Sequence, residues 1–494
     1  MKKQTINKEG AIGVSSAPRG VASNSPVTAT HTYSVSSGEG WARRQVLQAG
    51  GATLGVAALA SFSAMDAFAQ KGGVARYPLR IPSVVSPVGL RLACAPARVD
   101  LGGGLFSNVL AYNGFFPGPT ILARRGDTAT INLVNGLDEQ TSTHWHGMLV
   151  DPLNDGGPRV TINPGQTYNY SFPIIQRACL NWYHPHSHYL TGKQVNLGLA
   201  GAFILRDNEE DALRLPSGQY EVPLIIRDAT VDNNGNLVYK PSSSGFSGNF
   251  SLVNGTRDPK LDVNKGVYRF RVLNGSNARV FRIALSNGAP FTVIGNDGGL
   301  LEAPATVSQI ELGMGERLDL LVNFSGLALG ASVMLRCLDA RWDLLQFVGT
   351  GAAGVAYSPP AILSTIVPLV GPAVPTRTFS FDGMSRINGQ TYDLNRFDFQ
   401  VPFGVTERWR FTTGGNAPHP VHVHGASFQV VSRTGGRGNQ IFPWERAWKD
   451  TVLLQNGETV DVLIRFDAYR GDYVIHCHQL EHEDAGMMSN FTVV

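Results

Sequence analysis

One pattern returns three times along this chain and decides what it can fold into. A glycine turn feeds a strand of alternating character, RRGDTATINLVNG at 124–136, and a second turn and strand, NPGQTYNYSF, follows at 163–172. The pair recurs as NKGVYRFRVLNGS (264–276) with GMGERLDLLVNF (313–324), and again as PFGVTERWRFTTG (402–414) with QNGETVDVLIRF (455–466). Successive side chains on a strand point to opposite faces, so a period of two builds one packed face per sheet. Three copies at domain-sized spacing predict three related β-sandwich domains, over 77–207, 217–350 and 376–494. Composition agrees: 56 glycines and 28 prolines serve many turns, and 43% hydrophobic against 16% charged residues supplies several cores in 494 residues. The stretches 207–216, charged and polar, and 349–375, rich in Pro, Gly and Ala, read as connecting loops. No long amphipathic helix stands out, and the fold class is all-β.

The N-terminal end is of another kind. Residues 1–40 are polar and without periodicity, a disordered leader. Arg43 and Arg44 then precede an apolar run at 49–64, and Ala67-Phe68-Ala69 offers a small-residue cleavage site before Gln70. Residues 1–69 therefore read as leader plus a twin-arginine signal, which resembles the route that carries folded proteins across a bacterial inner membrane. The run falls short of the ~20 strongly apolar residues that span a bilayer. Cleavage, a periplasmic location and no stable membrane association are expected. The leader holds six Lys and Arg against three Asp and Glu, so the remainder, with 35 of each, is near neutral and gives no reason to expect nucleic acid as a partner.

Chemistry concentrates near the C-terminus, where HCHQLEHEDAGMM at 476–488 packs three histidines, a cysteine and two methionines into thirteen residues. Tyr473, Val474 and Ile475 lead into it as a strand. His476 and His478 then share one face and Cys477 takes the other. A soft thiolate beside imidazoles suits copper, and His482 with a weak axial Met487 completes the donor set of a blue electron-transfer centre. The outer histidines face a different metal, on the order of 10 Å away across the strand.

The other histidines follow the same rule. HWHG puts His144 and His146 on one face, WYHPH does so for His184 and His186, and HPVHVH for His422 and His424. His419 stands an odd number of residues before His422 and points away, toward the Cys477 side. One His-x-His is most simply an ordinary pair of buried or surface histidines; four of them in a chain with 12 histidines are not. Once His419 and His482 are given to Cys477, eight aligned imidazoles remain, which suit three coppers sharing them as two, three and three. His188 is left over as a neighbouring or surface residue. Of the four cysteines, Cys94 and Cys179 both fall in the first domain and are the expected bridge.

HWHG, WYHPH, HPVHVHG and HCHQLEHEDAGM resemble the four copper signatures of the multicopper oxidases, a likeness that runs through the whole mature chain. The resemblance implies three cupredoxin-like Greek-key β-sandwich domains holding four copper ions, with the trinuclear cluster between domains one and three. It places His419, Cys477, His482 and Met487 on type 1 copper, and His144 with His422 on type 2. It places His146, His184 and His478 on one type 3 copper and His186, His424 and His476 on the other. It also implies a small-molecule electron donor and dioxygen as partners, and a monomer. Asp155, in NDGGP, and Glu483, next to His482, resemble the family's proton-relaying carboxylates, whereas Asp450 in WKDT reads as structural and Met488 as packing.

Within the family, INGQ at 387–390 and the HEDAGMM ending resemble bacterial copper-efflux oxidases and laccase-like relatives. The efflux enzymes carry a methionine-rich insert, but this chain has eight methionines and none between Met384 and Met487. A laccase-type oxidase of phenols or aromatic amines is therefore expected. The alternatives are a cuprous (metallo-)oxidase in copper tolerance, a bilirubin-oxidase-like enzyme and, more remotely, a non-catalytic scaffold of the kind found in cell division, which would need every donor to be vestigial. A copper nitrite reductase normally uses two domains and fewer histidines.

Overall fold

The computed structural model of the protein describes residues 74–415 and 418–494. The paired arginines and the cleavage site lie outside the described residues. The repeated motif turns out to be a strand pair. Thr128–Asn135 runs antiparallel to Thr167–Pro173, with Ile131 opposite Tyr170. Val267–Asn274 pairs likewise with Arg317–Asn323, and Thr406–Thr413 with Thr459–Arg465. Each glycine turn leads into its strand, and each pair seeds one of two sheets that enclose a core.

Six sheets result, in three groups along the chain. The first group, five and four strands, holds a core around Leu92, Ile131, Trp145, Tyr183 and Phe203. The middle group, six and seven strands, encloses Phe270, Phe281, Leu320 and Phe347. The last, six and five strands, encloses Trp409, Phe411, Phe428 and Phe491. The alternation is clean in Thr128–Asn135 and in Thr406–Thr413, where every second residue is buried. In Val267–Asn274 all eight residues are buried, and the polar face carries Arg269 and Arg271 into an ion network with Glu210, Glu221 and Asp319.

Three local expectations change. The stretch read as loop at 207–216 contains a short helix, Asn208–Ala212, because the Asp207 side chain accepts the Glu210 N–H at 2.8 Å and caps it. Tyr77–Pro78 pairs with Pro259–Lys260, in a sheet of the middle group. Cys94 and Cys179 are both buried, free thiols. Cys94 sits on Val88–Asp100 and turns its sulfur to the Val134 carbonyl at 3.4 Å, whereas Cys179 precedes Leu180–His184 in the other sheet.

Candidate metal centre

Two adjacent strands carry the C-terminal half of the site. His419–Val423 and Gly471–Cys477 run antiparallel with Val421 opposite Cys477 and His422 opposite His476. This register puts His419, Val421 and Cys477 on one face and His422, His424 and His476 on the other. The first sandwich supplies the matching half: His144–His146 pairs with Leu180–His184, with His144 opposite His184.

On the thiol face, Cys477 Sγ lies 3.4 Å from His419 Nδ1 and 3.6 Å from His482 Nδ1, and the two nitrogens are 3.2 Å apart. His482 reaches back because the chain turns through a short helix, Leu480–Asp484, and a Cys477 N–H to Met487 carbonyl bond of 3.1 Å closes the loop. Met487 is fully buried in the core that contains Cys477, and Met488 packs with Tyr392 and Val474. Burial pushes the Cys477 thiol up, a cost that a bound cation offsets, and the Gln479 N–H donates to the sulfur at 3.4 Å. The His482 Nε2–H points outward onto the Met384 thioether at 3.0 Å.

On the other face the eight aligned histidines converge. His186, His424 and His476 present their Nε2 atoms to one another at 3.1 to 3.3 Å. Their Nδ1 atoms all face carboxylates: His424 donates to Asp155 Oδ2 at 2.7 Å, and Glu483 oxygens lie 3.2 Å from His186 Nδ1 and 3.3 Å from His476 Nδ1. The hydrogen bond to Asp155 fixes the His424 tautomer and leaves its Nε2 free for a metal, and His476 Nδ1 also meets the Cys477 carbonyl at 3.1 Å, whereas His186 Nδ1 and both Glu483 oxygens are buried without a hydrogen-bond partner. His146, His184 and His478 form the second trio, with one nitrogen of each within 4.8 Å of the others. His146 Nε2 donates to Asp450 Oδ1 at 3.1 Å and His184 Nδ1 to the Pro185 carbonyl at 2.8 Å, while His146 Nδ1 and His184 Nε2 are buried without a hydrogen-bond partner. His144 and His422 face each other through Nε2 at 3.4 Å, each holding its Nδ1–H on a backbone carbonyl, of Asp155 and Asp450 respectively.

Electrostatics favour metal over protons. Burial holds His184 down to about 3 and His476 to about 4, so the imidazoles are neutral donors at ordinary pH. Buried, unpartnered nitrogens aimed at one another are costly unless a cation sits between them. Imidazole and thiolate donors in these sets fit copper.

Every residue singled out in the sequence as a donor or proton carrier is buried in this region. His188 is not in either trio; it stacks on Tyr189 with ring centres 3.7 Å apart. Asp450, read as structural, also touches His146 directly. Neither it nor Met384 was legible locally, since Asp450 reaches the site only through the pairing of Thr451–Leu454 with His419–Val423. A cavity of about 290 Å³ reaches Gly147 and Gly425, the neighbours of His146 and His424.

Known proteins resemble this chain along most of its described length. Three family models, each described as multicopper oxidase, match residues 94–210, 205–331 and 367–494. The multicopper oxidase mco of Staphylococcus aureus is 34% identical over 81% of this chain and 88% of its own. The cell division protein FtsP of Dickeya dadantii is 33% identical over 90% of this chain and 97% of its own. The crystal structure of laccase from Pediococcus acidilactici superposes with a TM-score of 0.81 at 32% identity, covering 86% of this chain and 95% of that one. The repeated strand pairs, the thiol site, the two histidine trios and these matches lead to one conclusion: the chain belongs to the multicopper oxidase family, and is an oxidoreductase.

Proposed function

We propose that the protein is a laccase-type oxidase that takes electrons singly from phenolic or aromatic-amine donors and reduces dioxygen to water with four copper ions. The observation that carries this reading is Cys477 itself. Its sulfur faces His419 and His482, while the residues on either side of it, His476 and His478, enter different trios. Bound there, copper supplies the one-electron redox steps between donor and dioxygen.

The chain's own residues do the rest. His419, Cys477, His482 and Met487 hold one ion, and the eight aligned histidines hold three. His482 Nε2–H, which meets the half-buried Met384 thioether, marks the edge where a donor approaches. Asp155 and Glu483 hold protons beside the imidazoles. Burial, with Asp151 adding, pushes Asp155 up to about 8, and burial pushes Glu483 well above the usual carboxyl range, the direction that suits a carboxyl to proton transfer. The cavity is lined in part by Gly147 and Gly425, the residues that follow His146 and His424. The paired arginines and the run after them support export to the periplasm, and three sandwiches in one chain complete the site in a monomer.

The test is oxygen uptake by the copper-loaded protein with dimethoxyphenol, cuprous ion and bilirubin compared at equal concentration. Dimethoxyphenol is expected to be turned over fastest. A rate with cuprous ion at least tenfold higher would assign a metallo-oxidase, and no uptake with any donor a scaffold.

A further inference from the structure

The middle sandwich contributes no candidate donor, yet one of its turns reaches the cluster. The turn is GMGER, 313–317, which opens the second strand of the middle repeat. Arg317 is fully buried and touches all three sandwiches. Its Nη1 and Nη2 donate to the two carboxylate oxygens of Asp450, at 2.6 and 2.5 Å, in the third. Its Nε donates to the Leu180 carbonyl at 2.9 Å, at the head of the strand that carries His184 in the first. Its own backbone N–H donates to Asp297 Oδ1 at 2.8 Å in the second.

Asp450 hands this on. Its Oδ1 accepts from His146 Nε2 at 3.1 Å and from Thr451 Oγ1 at 2.8 Å, and its carbonyl accepts from His422 Nδ1 at 2.8 Å. We infer that Arg317 is a positioning residue for the histidine cluster: clamped by its guanidinium fork, Asp450 keeps His146 in the tautomer that leaves Nδ1 free for metal.

Two glycines show that the contact is built in. Gly147, at φ +87°, directly follows His146; a Cβ there would lie 2.6 Å from Arg317 Nη2 and 2.8 Å from Asp450 Oδ2. Gly315, at φ +79°, lets the turn lie against the His478 ring, which a Cβ would approach to 3.0 Å. A fork-to-fork pair fixes the rotation of a carboxylate as well as its charge, which a lysine would not do. Removing partners of this kind typically costs about 10–100-fold in metal affinity.

The inference rests on the copper reading, and its test separates the two. Parent, Arg317→Gln, Arg317→Lys and Asp450→Asn proteins are loaded with copper and taken through a graded chelator series, with total copper, blue absorbance and the electron paramagnetic resonance of the mononuclear ions followed together. Arg317→Gln and Asp450→Asn are expected to release the non-blue copper at about 10–100-fold lower chelator. Their blue absorbance should follow the parent. Arg317→Lys should fall between, because it keeps the charge without the fork. If Arg317→Gln does not accumulate folded, Asp450→Asn, which keeps size and shape, carries the comparison. Blue and non-blue copper lost in parallel, or non-blue copper released at the parent's chelator concentration, overturns the inference. A parent that holds one copper or none overturns the copper reading beneath it.

Discussion

At the scale of single residues, Cys477 and Glu483 divide the work and should fail differently. Cys477→Ser replaces a soft donor by a hard one of similar shape, so the blue colour and the oxidation of donors should vanish. The fold should persist at a cost of about 1–3 kcal/mol, read by circular dichroism and thermal unfolding. Glu483→Gln keeps the shape between His186 and His476 but removes the proton. Turnover should fall by about 10²–10⁴-fold while donors still bleach the blue band at the parent rate in anaerobic stopped flow. Slowed bleaching would place Glu483 in electron entry instead. Cys477 and the histidines on or next to strands were legible because strand alternation assigns faces from spacing alone, whereas His482, on the helix Leu480–Asp484, was read from its place in the Cys477 motif. Met384, Asp450 and Arg317 were not, because each arrives from a distant stretch whose pairing no local pattern announces.

At the scale of elements, the three repeats could be read as strands because glycine turns and alternation agree. What the alternation did not show was the middle repeat's ion network, in which Arg269 and Arg271 are buried among acids. Around Glu221, burial is outweighed by Arg271 and Arg269, which hold its carboxyl down to about 2 from an ordinary 4.5. A carboxyl lowered in the folded state stabilises above its unfolded value and loses that contribution as pH falls through the folded one. The stability gap between parent and Glu221→Gln should therefore be full above pH 4.5, at about 3 kcal/mol for a broken buried pair, and close as pH falls toward 2. Urea midpoints across that range measure it; a gap independent of pH would mean that packing, not charge, is lost. The short helix after Asp207 escaped notice because a cap and one turn are indistinguishable from a polar loop without the hydrogen bond that closes it.

At the scale of the whole molecule, the donors of the histidine cluster come from the first and last sandwiches and the middle one braces them, so no single sandwich holds the site. The proposed twin-arginine export would suit such a molecule, since a site assembled from residues 144 to 478 needs the folded chain, and that route carries folded proteins. Arg43→Lys with Arg44→Lys should leave the protein in the cytoplasm, measured by fractionation; unchanged export would assign another route. The most direct measurement of the central proposal, that one strand joins a donor-facing copper to an oxygen-reducing cluster, is the stoichiometry of turnover. Purified, copper-loaded protein is given a limiting one-electron donor in an oxygen electrode with a peroxide assay alongside. Four donor molecules oxidised per dioxygen, with no hydrogen peroxide, is the expected result; two per dioxygen with peroxide released, or no oxygen consumed, would contradict it.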